Sequence, residues 1–223
     1  MTPILRLILG VTLVALGALA GITAHRLMRP RASLQPSVAA VLPPRLEPDA
    51  AARVIPRVLP DLTLADLNGV VHRLSDFAGH PLIVNFWATW CEPCRREIPL
   101  LIRLRHARSG TGLAIVGIAV DFRAAVVKYA HAAGIDYPLL IGEDKGLEAA
   151  NAFGMDLVFP FSVFADGQGR VVAVKVGELH QDEADFILDR IRDVDAGSLS
   201  LAAAKAAIAG RLKDLAVERA KHA

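Results

Sequence analysis

Leu82-Ile83-Val84-Asn85-Phe86-Trp87-Ala88-Thr89-Trp90-Cys91-Glu92-Pro93-Cys94 is the stretch that decides the fold. Its first half is a nearly unbroken apolar run, the pattern of a strand buried on both faces. Its second half ends in the chain's two cysteines, with two residues between them. On one helical turn, that spacing brings two sulfurs close enough to form a disulfide and to open it again. The strand delivers Cys91 to a helix N-terminus, where unpaired backbone N–H groups favour thiolate. A C-x-x-C at a strand-to-helix junction is the mark of a thiol–disulfide redox site. Structural zinc would need a second Cys pair or a close His pair, and covalent haem would need His where Arg95 stands. A purely structural bridge across so short a loop would remove little chain entropy.

Within the motif, Cys91 comes first, nearest the strand end, and is expected to be the attacking thiol. Cys94, one turn into the helix, is expected to resolve the mixed disulfide. Trp90, Glu92 and Pro93 flank the sulfurs and tune them. A carboxylate beside Cys91 opposes the thiolate and tilts the couple toward reduction. Glu97 follows Cys94 by three residues on the same helical face. Held in an apolar setting it could exchange protons with Cys94; exposed, it would pair with Arg95 or Arg96. Pro160, in Phe159-Pro160-Phe161, opens a later strand, an ordinary place for proline.

The 223 residues suffice for one domain with appendages, and a formal net charge of +2 with interleaved acids and bases argues against nucleic-acid binding. The chain is 53% hydrophobic, with the excess toward the N-terminus. Leu7 to Ala24 is uncharged and apolar, enough for roughly 27 Å of helix at about 1.5 Å per residue. It reads as a membrane anchor, with a removable signal peptide as the alternative because Ala18-Leu19-Ala20 offers a cleavage site. Arg26, Arg29 and Arg31 after the run outnumber Arg6 before it. The charge rule would therefore keep the following domain inside, whereas redox chemistry on disulfides prefers it outside. Residues 1–28 are thus assigned as anchor or signal segment, 29–56 as a Pro-rich tether, 57–195 as the folded domain, and 196–223 as an Ala-rich C-terminal helix.

Inside the domain, Leu62–Leu64 and Val70–His72 flank the turn signal Asn68-Gly69. Strands are expected at Leu82–Ala88, Leu113–Val120 and Pro138–Ile141, and a second hairpin pairs Phe161–Ala165 with Val171–Val176. Helices are expected at Glu92–Arg108, kinked at Pro99, and at Ala124–Ala133, Lys145–Phe153 and Asp182–Val194. A last helix, Leu199–Lys221, carries an apolar stripe of Leu201, Ala204, Ile208, Leu212 and Leu215. Strands alternating with helices and then a hairpin give an α/β fold with a mixed sheet covered on both faces.

From about Leu59 to Gly177 the chain resembles the thioredoxin-like domain of the TlpA/ResA type, shared with the CcmG/DsbE proteins of cytochrome c maturation. The resemblance is carried by Asn85 through Leu100, by Gly117-Ile118-Ala119-Val120-Asp121, and by Pro160 with Phe164-Ala165-Asp166 and Gly169. It implies a thioredoxin-like fold with an N-terminal β-hairpin, preceded by a transmembrane helix and followed by a helical extension. It further implies a thiol–disulfide oxidoreductase anchored in the inner membrane, with its domain in the periplasm and no cofactor. By the resemblance Cys91 is the nucleophile, Cys94 resolves, Glu97 is the active-site glutamate, and Pro160 is cis and faces the cysteines. The implied partners are an electron donor of the DsbD or CcdA kind and disulfide-bearing clients such as apocytochrome c or copper-site proteins. The family commonly has a small or branched residue before that proline and Thr-Thr after it. Here Phe159, Phe161 and Ser162 stand there, and Phe159 would present its backbone to substrate. Asn85 replaces thioredoxin's buried Asp. A peroxide reductase would need P-x-x-x-T-x-x-C before Cys91, which is absent. A copper-binding assembly factor would need a His such as His80, His131 or His180 beside the thiolates.

Overall fold

The computed structural model describes residues 54–156 and 158–221. At its centre lies β3 (Leu82–Trp87), every residue of which is buried. The strand pairs in parallel with β4 (Ala114–Ala119) and antiparallel with β6 (Phe161–Ala165). β1 (Thr63–Asp66), β2 (Val71–Arg73), β5 (Leu139–Ile141) and β7 (Val171–Val176) complete a seven-stranded mixed sheet in the order β2-β1-β5-β4-β3-β6-β7. Both hairpins form. The first turns on Gly69, whose φ of +85° suits glycine, and the Asp66 carboxylate accepts from the Asn68 and Val70 N–H groups. In the second, Asp166 likewise accepts from Gln168 and Arg170.

The helices are α1 (Glu92–Ala107), α2 (Arg123–Ala133), α3 (Asp144–Ala152), α4 (Gln181–Asp195) and α5 (Leu201–Ala220). α1 continues through Pro99 without interruption, and Pro99 lies on its exposed face. Strand alternation divides the core in two. Ile83 and Trp87 face α1, α2 and α4, against Ile98, Leu101, Ala130, Ile187 and Ile191. Leu82, Val84 and Phe86 face the other way, against Val116, Val163, Ala149 and Phe153. α5 packs on α4 and β7, with Ala204, Ile208 and Leu215 buried and Leu201 and Leu212 against the same core. Among the described residues no helix is long and apolar enough to cross a membrane. The expected anchor, residues 1–28, and most of the expected tether lie outside the described residues.

Candidate active site

Parallel strands end together, so the loops leaving β3 and β4 meet at one edge of the sheet. Trp87 and Ala119 are register partners, and Val120 N–H donates to the Trp87 carbonyl at 2.9 Å. Asp121, just beyond β4, ties the two loops by accepting from Thr89 N–H at 2.9 Å and from the Thr89 hydroxyl at 2.5 Å. This holds Ala88–Cys91 in place at the mouth of α1.

Cys91 is the N-cap of α1, in extended backbone, and its sulfur accepts from Cys94 N–H at 3.3 Å. Pro93 in the first turn has no N–H to leave unpaired. Cys91 and Cys94 form a disulfide, with an S–S distance of 1.97 Å. Cys91 is 6% exposed and Cys94 is fully buried. Cys91 thus keeps a little exposed surface and Cys94 keeps none.

Glu97 lies one turn past Cys94 on the inner face of α1 and is 1% exposed. It does not make the surface pairing with Arg95 or Arg96 that its position in the sequence left open. Its Oε1 accepts from Asn85 Nδ2 and its Oε2 from Leu179 N–H, both at 2.6 Å. Asn85 also donates to Ser162 Oγ at 3.0 Å, so β3, β6 and α1 meet at this polar cluster. Burial pushes the Glu97 carboxyl up from 4.5 to about 7, against the lowering effect of the two hydrogen bonds. Tyr137 is buried, and burial, with the Glu97 charge adding to it, holds its phenol far above the ordinary range.

Glu92 lies on the solvent face of the first turn of α1. Its side chain is 73% exposed and pairs with Arg96 Nη1 at 3.1 Å, while Arg96 also holds Glu178 at 2.7 Å. A solvated carboxylate with a cationic neighbour opposes the Cys91 thiolate only weakly. The Phe159–Pro160 peptide is cis, and Pro160 is buried. Phe161 pairs with Phe86, which sets Phe159 and Pro160 at the sheet edge where Ala88–Cys91 emerge. The Phe159 ring meets Trp90 edge-on at 6.2 Å between centroids. Trp90, next to Cys91, is 67% exposed, and Phe122, next to the Asp121 that ties the two loops, is 65% exposed. Phe122, Leu179 and Tyr137 were not singled out from the sequence. Leu179 acts through its backbone, which no side-chain pattern reveals, and Phe122 could be found only through its adjacency to Asp121. Among the described residues no three His, Cys, Asp or Glu side chains converge as a cation site, and His80, His131 and His180 join no such group with the cysteines.

A thioredoxin-like domain with a bridged cysteine pair at the first turn of the helix after its central strand belongs to the class of thiol–disulfide oxidoreductases. More particularly, the chain belongs to the AhpC/TSA family, which matches residues 55–174. It is 32% identical over 133 residues to the thiol-disulfide oxidoreductase ResA of Geobacillus thermodenitrificans, covering 59% of this chain and 75% of that protein. A solved thiol:disulfide interchange protein of the thioredoxin family from Chlorobium tepidum superposes with a TM-score of 0.52 at 33% identity, over 62% of this chain and 94% of that one. A secreted thiol-disulfide isomerase from Corynebacterium glutamicum gives 0.51 at 30% identity, over 56% and 80%.

Proposed function

We propose that this thiol–disulfide oxidoreductase works as a reductase of protein disulfides, held at the inner membrane by its N-terminal segment with the thioredoxin-like domain in the periplasm. The observation that carries the direction of attack is the asymmetry of the pair: Cys91, at the N-cap of α1, keeps some exposed surface and Cys94, inside the helix, keeps none. In the reduced protein the Cys91 thiolate attacks one sulfur of the client disulfide. The client S–S bond breaks, a mixed disulfide forms, and the departing client thiolate takes up a proton. Cys94 then loses its proton and attacks the Cys91 sulfur, which closes the Cys91–Cys94 bond and releases the second client thiol. Two electrons pass from the dithiol to the client. Glu97, buried one turn behind Cys94 and poised near neutrality, receives the Cys94 proton in the second step. Trp90, Phe122 and the Phe159–Pro160 segment form the surface a client strand meets. A membrane thiol carrier of the DsbD or CcdA kind would reopen the disulfide by the reverse exchange, and clients of the apocytochrome c or copper-site type fit the resemblance to ResA-type proteins. Support for a periplasmic site comes from the disulfide chemistry and the apolar Leu7–Ala24 run.

The test is a pair of variants. Cys91→Ser is expected to abolish reduction of insulin disulfides, and Cys94→Ser to accumulate mixed disulfides through Cys91. Traps accumulating in the Cys91 variant would invert the assignment. In intact cells, Cys91 reduced by a permeant phosphine should react with a membrane-impermeant maleimide that has crossed only the outer membrane; protection until the inner membrane is broken would remove the periplasmic placement.

A further inference from the structure

Glu97, the proposed proton-handling group, is held at Oε2 by the backbone N–H of Leu179, so whatever fixes Leu179 also fixes the carboxyl. Resting on that reading, we propose that Arg219, near the end of α5, is a positioning residue that locks the segment from Lys175 to His180 by clamping the first turn of α4. α5 lies beyond residues 55–174, the part matched by the family.

The path is short and continuous. Arg219 Nη1 donates to Glu183 Oε1 at 2.7 Å and Nη2 to Asp182 Oδ1 at 2.6 Å. Glu183 is 1% exposed, and a buried carboxyl needs hydrogen-bond partners for both oxygens. Its other oxygen accepts from His180 N–H at 3.0 Å, and Lys175 Nζ stands 3.6 Å away. Lys175 donates in turn to the Val176 and Glu178 carbonyls at 3.0 Å. Leu179 therefore lies between a residue capped by Glu183 and a residue whose carbonyl is held by Lys175. Its buried side chain packs in the core beside α1. The groups that bear on Glu97 come from three elements and one turn. They are Asn85 on β3, Lys175 on β7, Glu178 and the Leu179 N–H in the turn after β7, and Arg96 on α1, which pairs with Glu178.

Removing the Arg219 charge has two consequences of one sign. Glu183 keeps Lys175 as its sole remaining cationic partner among the described residues, and Lys175, the cation that lowers Glu97, is drawn further toward Glu183. The turn also loosens, so the Leu179 N–H is presented less steadily to the carboxylate. Both favour protonated Glu97.

The experiment follows the Glu97 side-chain carboxyl carbon by NMR against pH in the oxidised full chain in detergent, where neither cysteine titrates. Arg219→Gln is expected to move the Glu97 midpoint upward by about half a pH unit or more. Arg219→Lys should restore most of the difference, and Asp182→Asn, which spares the Glu183 contact, should leave the midpoint near the wild-type value. Because Arg219→Gln could loosen the fold, Glu183→Gln provides a second test: it removes the charge Arg219 balances, and it should make Arg219→Gln silent when the two are combined. A Glu97 midpoint unchanged in Arg219→Gln, or moved as far by Asp182→Asn, overturns the proposal. The underlying reading is tested apart from it, by the pH profile of thiol alkylation in Glu97→Gln. A profile unchanged in that variant, with Glu97 still responding to Arg219, would remove Glu97 from the chemistry while leaving Arg219 its positioning role.

Discussion

Burying the Glu97 carboxyl keeps it protonated at pH values where a surface carboxyl is ionised, and this has a measurable cost in stability. The folded protein holds the proton up to about 7, whereas the unfolded chain releases it near 4.5. Between those values the native state binds more protons than the unfolded state, so stability falls as pH rises through that window and levels off above it. The contribution is on the order of 3 kcal/mol, less whatever the native state recovers by relaxing around the charge. Glu97→Gln cannot titrate and should flatten this slope. Denaturant midpoints of the oxidised protein at pH 5 and pH 8 should differ clearly in the wild type and converge in the variant. An equal drop in both proteins would place the pH dependence elsewhere. Glu92, by contrast, is solvated and paired with Arg96. Glu92→Gln should therefore change the reduction potential little, by less than about 30 mV on the two-electron scale. A larger shift would mean that its charge reaches Cys91 after all.

At the scale of elements, the pieces that position the cysteines were legible because their signals are local. The unbroken apolar run gave β3, C-x-x-C with proline gave the start of α1, and Asn68-Gly69 and Asp166–Gly169 gave both hairpins. β6 and β7 have the expected limits, and the other elements differ by one to two residues at their ends. Illegible features arise between elements. The Glu97 cradle joins residues 82 positions apart, and the Thr89–Asp121 clamp joins residues 32 apart. Glu92 pairs with Arg96, which helical spacing returns to the same face, a partner that adjacency along the chain does not show. The loop clamp has its own consequence. It holds the loop that carries the exposed Phe122 against the loop that carries Trp90 and Cys91. Phe122→Ala should lower kcat/KM for a protein disulfide by about 5- to 30-fold, the effect of losing roughly 1–2 kcal/mol of apolar contact. The loss for a small disulfide reagent should be distinctly smaller. Equal losses for both would point to a disturbed Cys91 instead of a lost client contact.

Across the whole molecule, one strand serves two masters, and the sheet keeps them apart. Asn85 and Trp87 point toward α1, where Glu97 and the cysteines lie, while Val84 and Phe86 point into the opposite core. On that far side Phe86 stacks on Phe161 at 4.3 Å and meets Phe153 edge-on at 5.7 Å, with none of its surface exposed. This aromatic group carries packing energy and touches no titrating group of the site. Phe86→Ala should therefore cost about 3–5 kcal/mol of stability, the range for removing a large aromatic from a close-packed interior. Below its melting range, the same variant should retain the wild-type Glu97 midpoint and thiol alkylation profile. Unfolding curves measure the first quantity, and NMR titration with alkylation kinetics measures the second, on one preparation. Should the Glu97 midpoint move in step with the lost stability, the two faces of the sheet would be mechanically coupled. Loosening the distal core would then be enough to detune the acid behind Cys94, and β3 would transmit strain across its plane instead of separating packing from chemistry.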